Sequence, residues 1–395
     1  MLPSYIVFAG TTGRCGLSVH TIDWVRALAE GGYPVTLIAV QKDYFTPYLK
    51  DSAVRVIHLP LPDNASFYET FRIWSKALKS YPAQRAVYPR GVGGASSLAI
   101  LAALRYRYPR LYTIEHAMAN LGQIAWGSPE PRHTLVRAIR NAVAARLVNR
   151  SIAVSECTRQ SVIQHYDFPP DRIVTRHNWV DVERFQFDPV ARTQLRSSLG
   201  IGEDDWVIGF AGRLVKEKRV DAILRGFAAF VATSPRKAHL VLVGDGMLRV
   251  LRDLATELGV TDRVHFVGMV SDTASWMSAF DTLVLASDSE AFALVGLEAM
   301  ASGAILLAQP VGGLLEYVEH GQNGYLAQLG SPEQFAAWWT TIAGLVPEER
   351  ARMRGNARRT AVERFRPAVK LAAFLEALDA PEAVTLLRAR TISSQ

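Results

Sequence analysis

Short apolar, β-branched runs alternate with helix-length amphipathic segments along most of the chain. In the first half, "YIVFAG" (5–10), "PVTLIAV" (34–40), "VRVIHL" (54–59), "RAVYPRG" (85–91), "RLYTIEH" (110–116) and "SIAVS" (151–155) read as buried strands. A helix is predicted over 18–32, ending on the glycine pair expected of a C-cap. The rhythm breaks at "HNWVDVERFQFDP" (177–189) and then restarts. "WVIGFAGRL" (206–214), "AHLVLVGDG" (238–246), "RVHFVGMV" (263–270), "DTLVLAS" (281–287) and "AILLAQP" (304–310) form the second set of strands. Strand–helix alternation over two lengths predicts two parallel-sheet α/β units, whose ligands sit at the carboxyl ends of strands. "FRPAVKLAAFLEAL" (365–378) reads as one amphipathic helix. Short-period repeats, low-complexity tracts and heptads are absent from the sequence.

Composition agrees with that division. The chain has 395 residues, 49% of them hydrophobic, which exceeds what one ordinary core holds. Its two cysteines, Cys15 and Cys157, offer neither a disulfide framework nor a metal-binding spacing, and suit a reducing compartment. No apolar run approaches the ~18–20 residues of a membrane span. The N-terminal "MLPSYIVFAGTTG" reads as a first strand rather than a signal peptide, so a cytosolic setting is expected. Charge changes the picture more. Residues 1–180 hold 21 Lys and Arg against 11 Asp and Glu, whereas 181–395 hold 23 against 26. A basic first half fits nucleic acid, an anionic membrane surface or a phosphorylated substrate.

Three stretches could carry chemistry. In "FAGTTGRCGLSVH", glycines at 10, 13 and 16 follow a strand and precede a helix. The Gly16 amide could meet a phosphate at the helix start, although any tight strand-to-helix turn also wants glycine. In "FAGRLVKEKRVD", Arg213 and Lys218 cross a loop at a sheet's carboxyl edge. They could clamp a diphosphate, or belong to a solvated basic loop with Lys216 and Arg219. In "SEAFALVGLEAM", Glu290 precedes a predicted helix over 292–302 and Glu298 lies within it. Eight residues of helix span roughly 12 Å, too far for the glycosidase pair, which sits about 5–9.5 Å apart. Glu290 is expected to close the strand loop, with helix N–H groups facing a phosphate and Glu298 reaching a sugar hydroxyl. A fortuitous polar position in a buried helix is the alternative, but a carboxylate there needs a partner.

Taken in order, these segments resemble the retaining GT-B glycosyltransferases of family four. "FAGRLVKEKRVDAIL" is similar to that family's Arg–Lys diphosphate loop, and "HLVLVGDGMLRVLRDLATELGVTDRVHFVGMV" to its nucleotide-side segment. "SDSEAFALVGLEAMASGAILLAQPVGGLLEYVEHGQNGYLA" resembles its EX7E motif and the glycine pair that follows. "SIAVSECTRQSVI" and "HNWVDVERF" look like its inter-domain region. The N-terminal half matches only in the glycine loop and "IEH". The resemblance implies an α/β GT-B fold of two Rossmann-like parallel-sheet domains facing a central cleft. Residues 1–180 would form the acceptor-binding domain, completed by a C-terminal helix at about 372–395, and 181–371 the donor-binding domain. It implies roles as well. Arg213 and Lys218 would neutralise the donor diphosphate, Glu298 would hold the ribose, and Glu290 and His116 would touch the donor sugar. Backbone N–H groups of Phe292, Ala293, Leu294 and Val295 would assist, and Gly16 would approach the β-phosphate. Departures are Ala291 and Arg219 where glycine is usual, Ala304–Ile305, and "GRCG" in the first loop.

The reaction implied is sugar transfer with retention, from a nucleotide-sugar donor such as a UDP- or GDP-sugar. The acceptor would be a glycan or a lipid-linked molecule in bacterial polysaccharide or lipopolysaccharide synthesis. The leaving phosphate would take the acceptor's proton, without a metal ion or other cofactor. An anionic membrane surface would be a further partner of the basic half, on the inner face of the plasma membrane; nucleic acid is not expected. Two rivals remain: a GT-B-fold sugar-nucleotide epimerase, and a polyanion-binding protein using "RYRYPRLY" (105–112) and the basic run 132–150.

Overall fold

The structure, a computed structural model, describes residues 2–9, 16–40, 45–59, 67–89, 95–117, 139 and 142–393. It divides into two compact units, Met1–Trp179 with Ala368–Gln395, and Val180–Pro367.

Among the described residues, the first unit carries seven parallel strands: β1 (Tyr5–Ala9), β2 (Val35–Val40), β3 (Arg55–Leu59), β4 (Arg85–Tyr88), β5 (Arg110–Glu115), β6 (Arg150–Ala153) and β7 (Ile173–Thr175). Their spatial order is β3-β2-β1-β4-β5-β6-β7. The second unit carries six: β8 (Trp206–Ala211), β9 (Ala238–Val243), β10 (Val264–Gly268), β11 (Thr282–Leu285), β12 (Ile305–Ala308) and β13 (Tyr325–Leu326). These run β10-β9-β8-β11-β12-β13, again all parallel. Both sheets are doubly wound, because the chain moves outward one way from the first strand and then returns to its other side. The order reverses between β1 and β4 and between β8 and β11, and such switch points open a crevice beyond the strands' carboxyl ends. β1, β8 and β9 are buried at every position. Helices covering both faces leave no polar side, hence their unbroken apolar runs.

Sequence pattern misses β7 and β13, which have three and two residues, too few to show a period. It also starts the helix read over 365–378 two residues too early. Pro347–Phe365 stops at Arg366, whose φ of −72° and ψ of 155° are the extended state that a following proline imposes. Pro367–Ala377 then begins a new helix, so the chain returns to the first unit at Ala368 rather than about 372.

That return seals the amino edge of the first sheet. Asp379 accepts from Arg110 Nη1 at 2.7 Å, Arg150 Nη1 at 3.1 Å and the Tyr112 hydroxyl at 2.6 Å. Tyr108 and Tyr112 are buried, and Tyr108 donates its hydroxyl to the Tyr81 carbonyl. Thus "RYRYPRLY" turns two of its three tyrosines inward, which removes the stacking surface a polyanion reader needs. Most of the basic run 132–150 lies outside the described residues. Among the described residues, no helix is long and apolar enough to cross a membrane.

At the amino edge of the second sheet, Asp281 is buried under three arginines. It accepts from Arg192 at 2.8 Å, Arg196 at 2.7 Å, Arg354 at 3.3 Å and the Val207 amide at 2.9 Å.

Candidate active site

Beyond the carboxyl ends of β8 and β9, two glycine-bearing loops interlock. The Gly212 amide donates to the Val243 carbonyl, Leu214 to Asp245, and Met247 back to Leu214, all at 2.8–2.9 Å. A Cβ on Gly244 would stand 1.8 Å from the Gly212 carbonyl oxygen, and one on Gly246 would stand 2.3 Å from that of Leu214. Only glycine permits so close a backbone approach, and both have positive φ. The interlock fixes the residues on either side of Arg213, which is itself exposed.

Lys218 follows on a short 3₁₀ turn, Lys216–Lys218. Its ammonium lies 2.5 Å from Glu290 Oε1, which also accepts the Ser287 hydroxyl at 2.7 Å. Glu290 is 8% exposed, so Lys218 supplies the counter-charge this carboxylate needs. The sequence reading gave Lys218 to a diphosphate and Glu290 to a sugar; the structure joins the two directly. Arg219 closes the turn in the left-handed region, at φ 52° and ψ 41°. It donates to the Leu329 carbonyl at 3.0 Å and the Ala286 carbonyl at 3.4 Å, and lies 3.6 Å from Asp288. The Asp288 amide donates to the Glu217 carbonyl. Arg219 is therefore a staple between two loops, and not part of a solvated basic loop.

The helix bearing Glu298 runs Leu294–Ala301, two residues shorter at its start than the pattern predicts. Ala293 precedes it with φ 52° and ψ 67°, and the Tyr317 hydroxyl donates to its carbonyl at 2.8 Å. Phe292 is buried, its ring beside those of Tyr317 and Phe365. Leu294 and Val295 thus form the first turn, where amides have no helical acceptor. Glu290 stands on the preceding loop, so helical rise does not set its separation from Glu298. Burial raises the Tyr317 hydroxyl well above its ordinary pKa, and the nearby carboxylates of Glu290 and Glu298 add to the shift.

The glycine pair shapes this loop from behind. Gly312 has φ +55°, and a Cβ there would fall 1.7 Å from the Glu290 carbonyl oxygen. The Gly313 amide donates to that oxygen at 3.1 Å. Gly312→Ala is expected to lower stability by about 2 kcal/mol or more, through strain and a displaced loop. The denaturant midpoint measures it, and an unchanged midpoint would refute the cradle.

In the first unit, Gly16 opens the helix Gly16–Glu30, while Gly10 and Gly13 lie outside the described residues. His116 follows β5 directly. Its Nε2 is buried with no partner among the described residues, and burial lowers its pKa to about 4. It is neutral at pH 7.

Residues 15–184 match the family model "Glycosyltransferase Family 4", and residues 191–360 match "Glycosyl transferases group 1". The chain is 30% identical over 376 residues to D-inositol 3-phosphate glycosyltransferase 2 of Catenulispora acidiphila, covering 85% of this chain and 83% of that one. The chain belongs to glycosyltransferase family 4. Against the D-inositol 3-phosphate glycosyltransferase of Streptomyces scabiei it is 32% identical over 247 residues, spanning 60% of this chain but 55% of the relative. In fold it is similar to Anabaena HepE, crystallised with UDP and glucose, at a TM-score of 0.80 and 21% identity over 96% of this chain and 100% of that one. The chain accordingly has a GT-B fold, as the motif order predicts.

The structure gathers Arg213, Lys218, Glu290 and Glu298 in the second unit and leaves His116 and Gly16 in the first. Sequence reasoning missed one supporting residue and misplaced another. Tyr317, five residues after Gly312, carries no motif signal. Arg219 was visible as a departure from the usual glycine, and that departure is where the backbone turns left-handed.

Proposed function

We propose that this glycosyltransferase moves a sugar from a uridine diphosphate sugar to a hydroxyl of a phosphate-bearing acceptor, with retention and without a metal ion. The observation that carries the donor site is the buried Glu290 carboxylate held by Lys218 at 2.5 Å, at the switch point between β8 and β11. The structural likeness to HepE, solved with UDP, supports uracil as the base. Arg213 is exposed beside that point as a second cation, and Glu298 would accept the ribose hydroxyls. Leu294 and Val295 would turn their free amides toward the donor, with Phe292 and Ala293 placing them. Gly16 would add its amide, and His116 would meet the donor sugar.

Chemically, the bond from the anomeric carbon to the diphosphate oxygen breaks as the acceptor oxygen bonds to that carbon from the same face. The departing phosphate oxygen takes the acceptor's proton. Charge developing on the diphosphate is met by Arg213 and Lys218, fixed in advance by the interlocked loops, which is the part a metal ion plays elsewhere. The basic surplus of the first half supports an acceptor carrying phosphate. The relatives' names point to a phosphorylated cyclitol; a lipid-linked glycan at an anionic membrane surface, as in polysaccharide or lipopolysaccharide synthesis, has the same phosphate chemistry.

Thermal unfolding in EDTA with UDP, GDP, ADP or TDP tests the donor reading. UDP at 100-fold over its Kd should add about 2.7 kcal/mol of stability, and Glu298→Ala should remove that gain. Stabilisation by GDP alone would change the base. No stabilisation by any of the four would refute the site.

A further inference from the structure

The first helix holds an imidazole in the core that the proposed reaction does not use. His20 is 2% exposed, and among the described residues neither of its ring nitrogens has a hydrogen-bond partner. Its ring centroid lies 3.9 Å from that of Trp179, 5.1 Å from Phe374 and 5.5 Å from His116. Trp179 is itself fixed, donating Nε1 to Asp23 at 2.9 Å. Burial first, and then the neighbouring His116, hold the His20 imidazole well below its ordinary pKa. Both histidines are therefore neutral at pH 7.

A neutral imidazole has one donor and one acceptor. Buried groups of this kind are almost always paired, and an orphan calls for a reason. Phenylalanine would fill the space among Trp179 and Phe374 with no polar atom left over. His116 has the matching defect, because its Nε2 is buried and also unpaired. The two rings meet edge to face, at an interplanar angle of 74°. Catalytic hydrogen bonds are often long or misaligned without ligand and tighten in the complex.

We propose that His20 is a positioning residue for His116. It pairs with His116 Nε2, holds that imidazole in one tautomer and leaves Nδ1 to face a hydroxyl of the donor sugar. The proposal rests on the reading of His116 as a donor-sugar contact. Which nitrogen of a histidine carries the proton is set by the bond the other nitrogen makes, and nothing else among the described residues is bonded to Nε2 of His116.

The test uses the full chain labelled with ¹⁵N in the histidine rings, with and without UDP-glucose. His116→Gln assigns the His116 signals. Wild type should show His116 in a single tautomer. His20→Phe, which keeps the ring contacts, should move both His116 nitrogen shifts toward the tautomer average without lowering the melting temperature, and His20→Gln should restore the single form. Transfer or hydrolysis of UDP-glucose should fall at least tenfold in kcat in His20→Phe with KM little changed. Adding His20→Phe to His116→Gln should then cost nothing further. Unchanged His116 shifts in His20→Phe overturn the proposal, as does a loss that adds to that of His116→Gln. If His116→Gln is fully active while His20→Phe still scrambles the tautomer, the sugar contact falls and the imidazole pairing stands.

Discussion

Lys218→Ala is expected to lower kcat/KM for sugar transfer by about 10²–10³, the usual loss when one fixed charge is removed from a developing anion. The same change should cost about 3–5 kcal/mol of stability, because Glu290 would be left buried without its cation. Glu290 is 8% exposed and retains the Ser287 hydroxyl at 2.7 Å, which is a dipole and not a charge. The two effects can be separated. Lys218→Ala combined with Glu290→Gln removes the stranded carboxylate, so stability should recover much of its loss. Activity should not recover, since the leaving diphosphate still lacks its cation. Denaturant unfolding and initial rates on the four members of this cycle give both coupling energies. If the double variant regains activity together with stability, Lys218 is merely the counter-ion of Glu290.

That ion pair also marks how far sequence reaches. Strands were legible wherever a run of five or more apolar residues is buried on both faces, as in "YIVFAG" and "AHLVLVGDG". The end of Pro347–Phe365 was not, although Arg366–Pro367 stands in the sequence. An apolar stripe passes through the break, and periodicity reads the stripe and not the backbone. At the site, residue types and order were legible, because charge at a sheet's carboxyl edge is rare without a use. Partnerships were not. Lys218 and Glu290 are 72 positions apart, and their meeting depends on β8 and β11 being neighbours, a fact of sheet order. Arg219 shows the same limit. Its basic side chain suggested solvent, whereas its reach to the Leu329 and Ala286 carbonyls depends on where two distant loops come to rest. His20 is the extreme case, since an orphaned nitrogen is visible only once every neighbour is placed.

Asp281→Asn should be the most damaging single change to the second unit, costing about 3–5 kcal/mol. Arg196, 3% exposed, and Arg192 and Arg354 around it would keep their charges and lose their shared anion. The Asp281 carboxyl responds to opposing influences. Burial would raise its pKa, but the guanidiniums of Arg192 and Arg196 and the Val207 amide outweigh burial and hold it below the ordinary range. A carboxyl whose folded pKa is depressed stabilises the fold fully above its unfolded value, about 3.9. That contribution is lost as pH falls through the lower, folded value. Wild type should therefore lose stability steeply below about pH 4, while Asp281→Asn starts lower and shows a shallower slope there. Parallel acid profiles would refute the assignment. The site should feel this change although Asp281 is at the opposite edge of the sheet. Asp281 accepts from the amide of Val207, the second residue of β8, and stands one residue before β11. These are the two strands whose far ends carry Arg213 and Glu290. Amide exchange in β8 and β11 should accelerate in Asp281→Asn before any other strand of the unit does. Uniform acceleration would instead mean that the cluster stabilises the unit as a whole without holding the switch point.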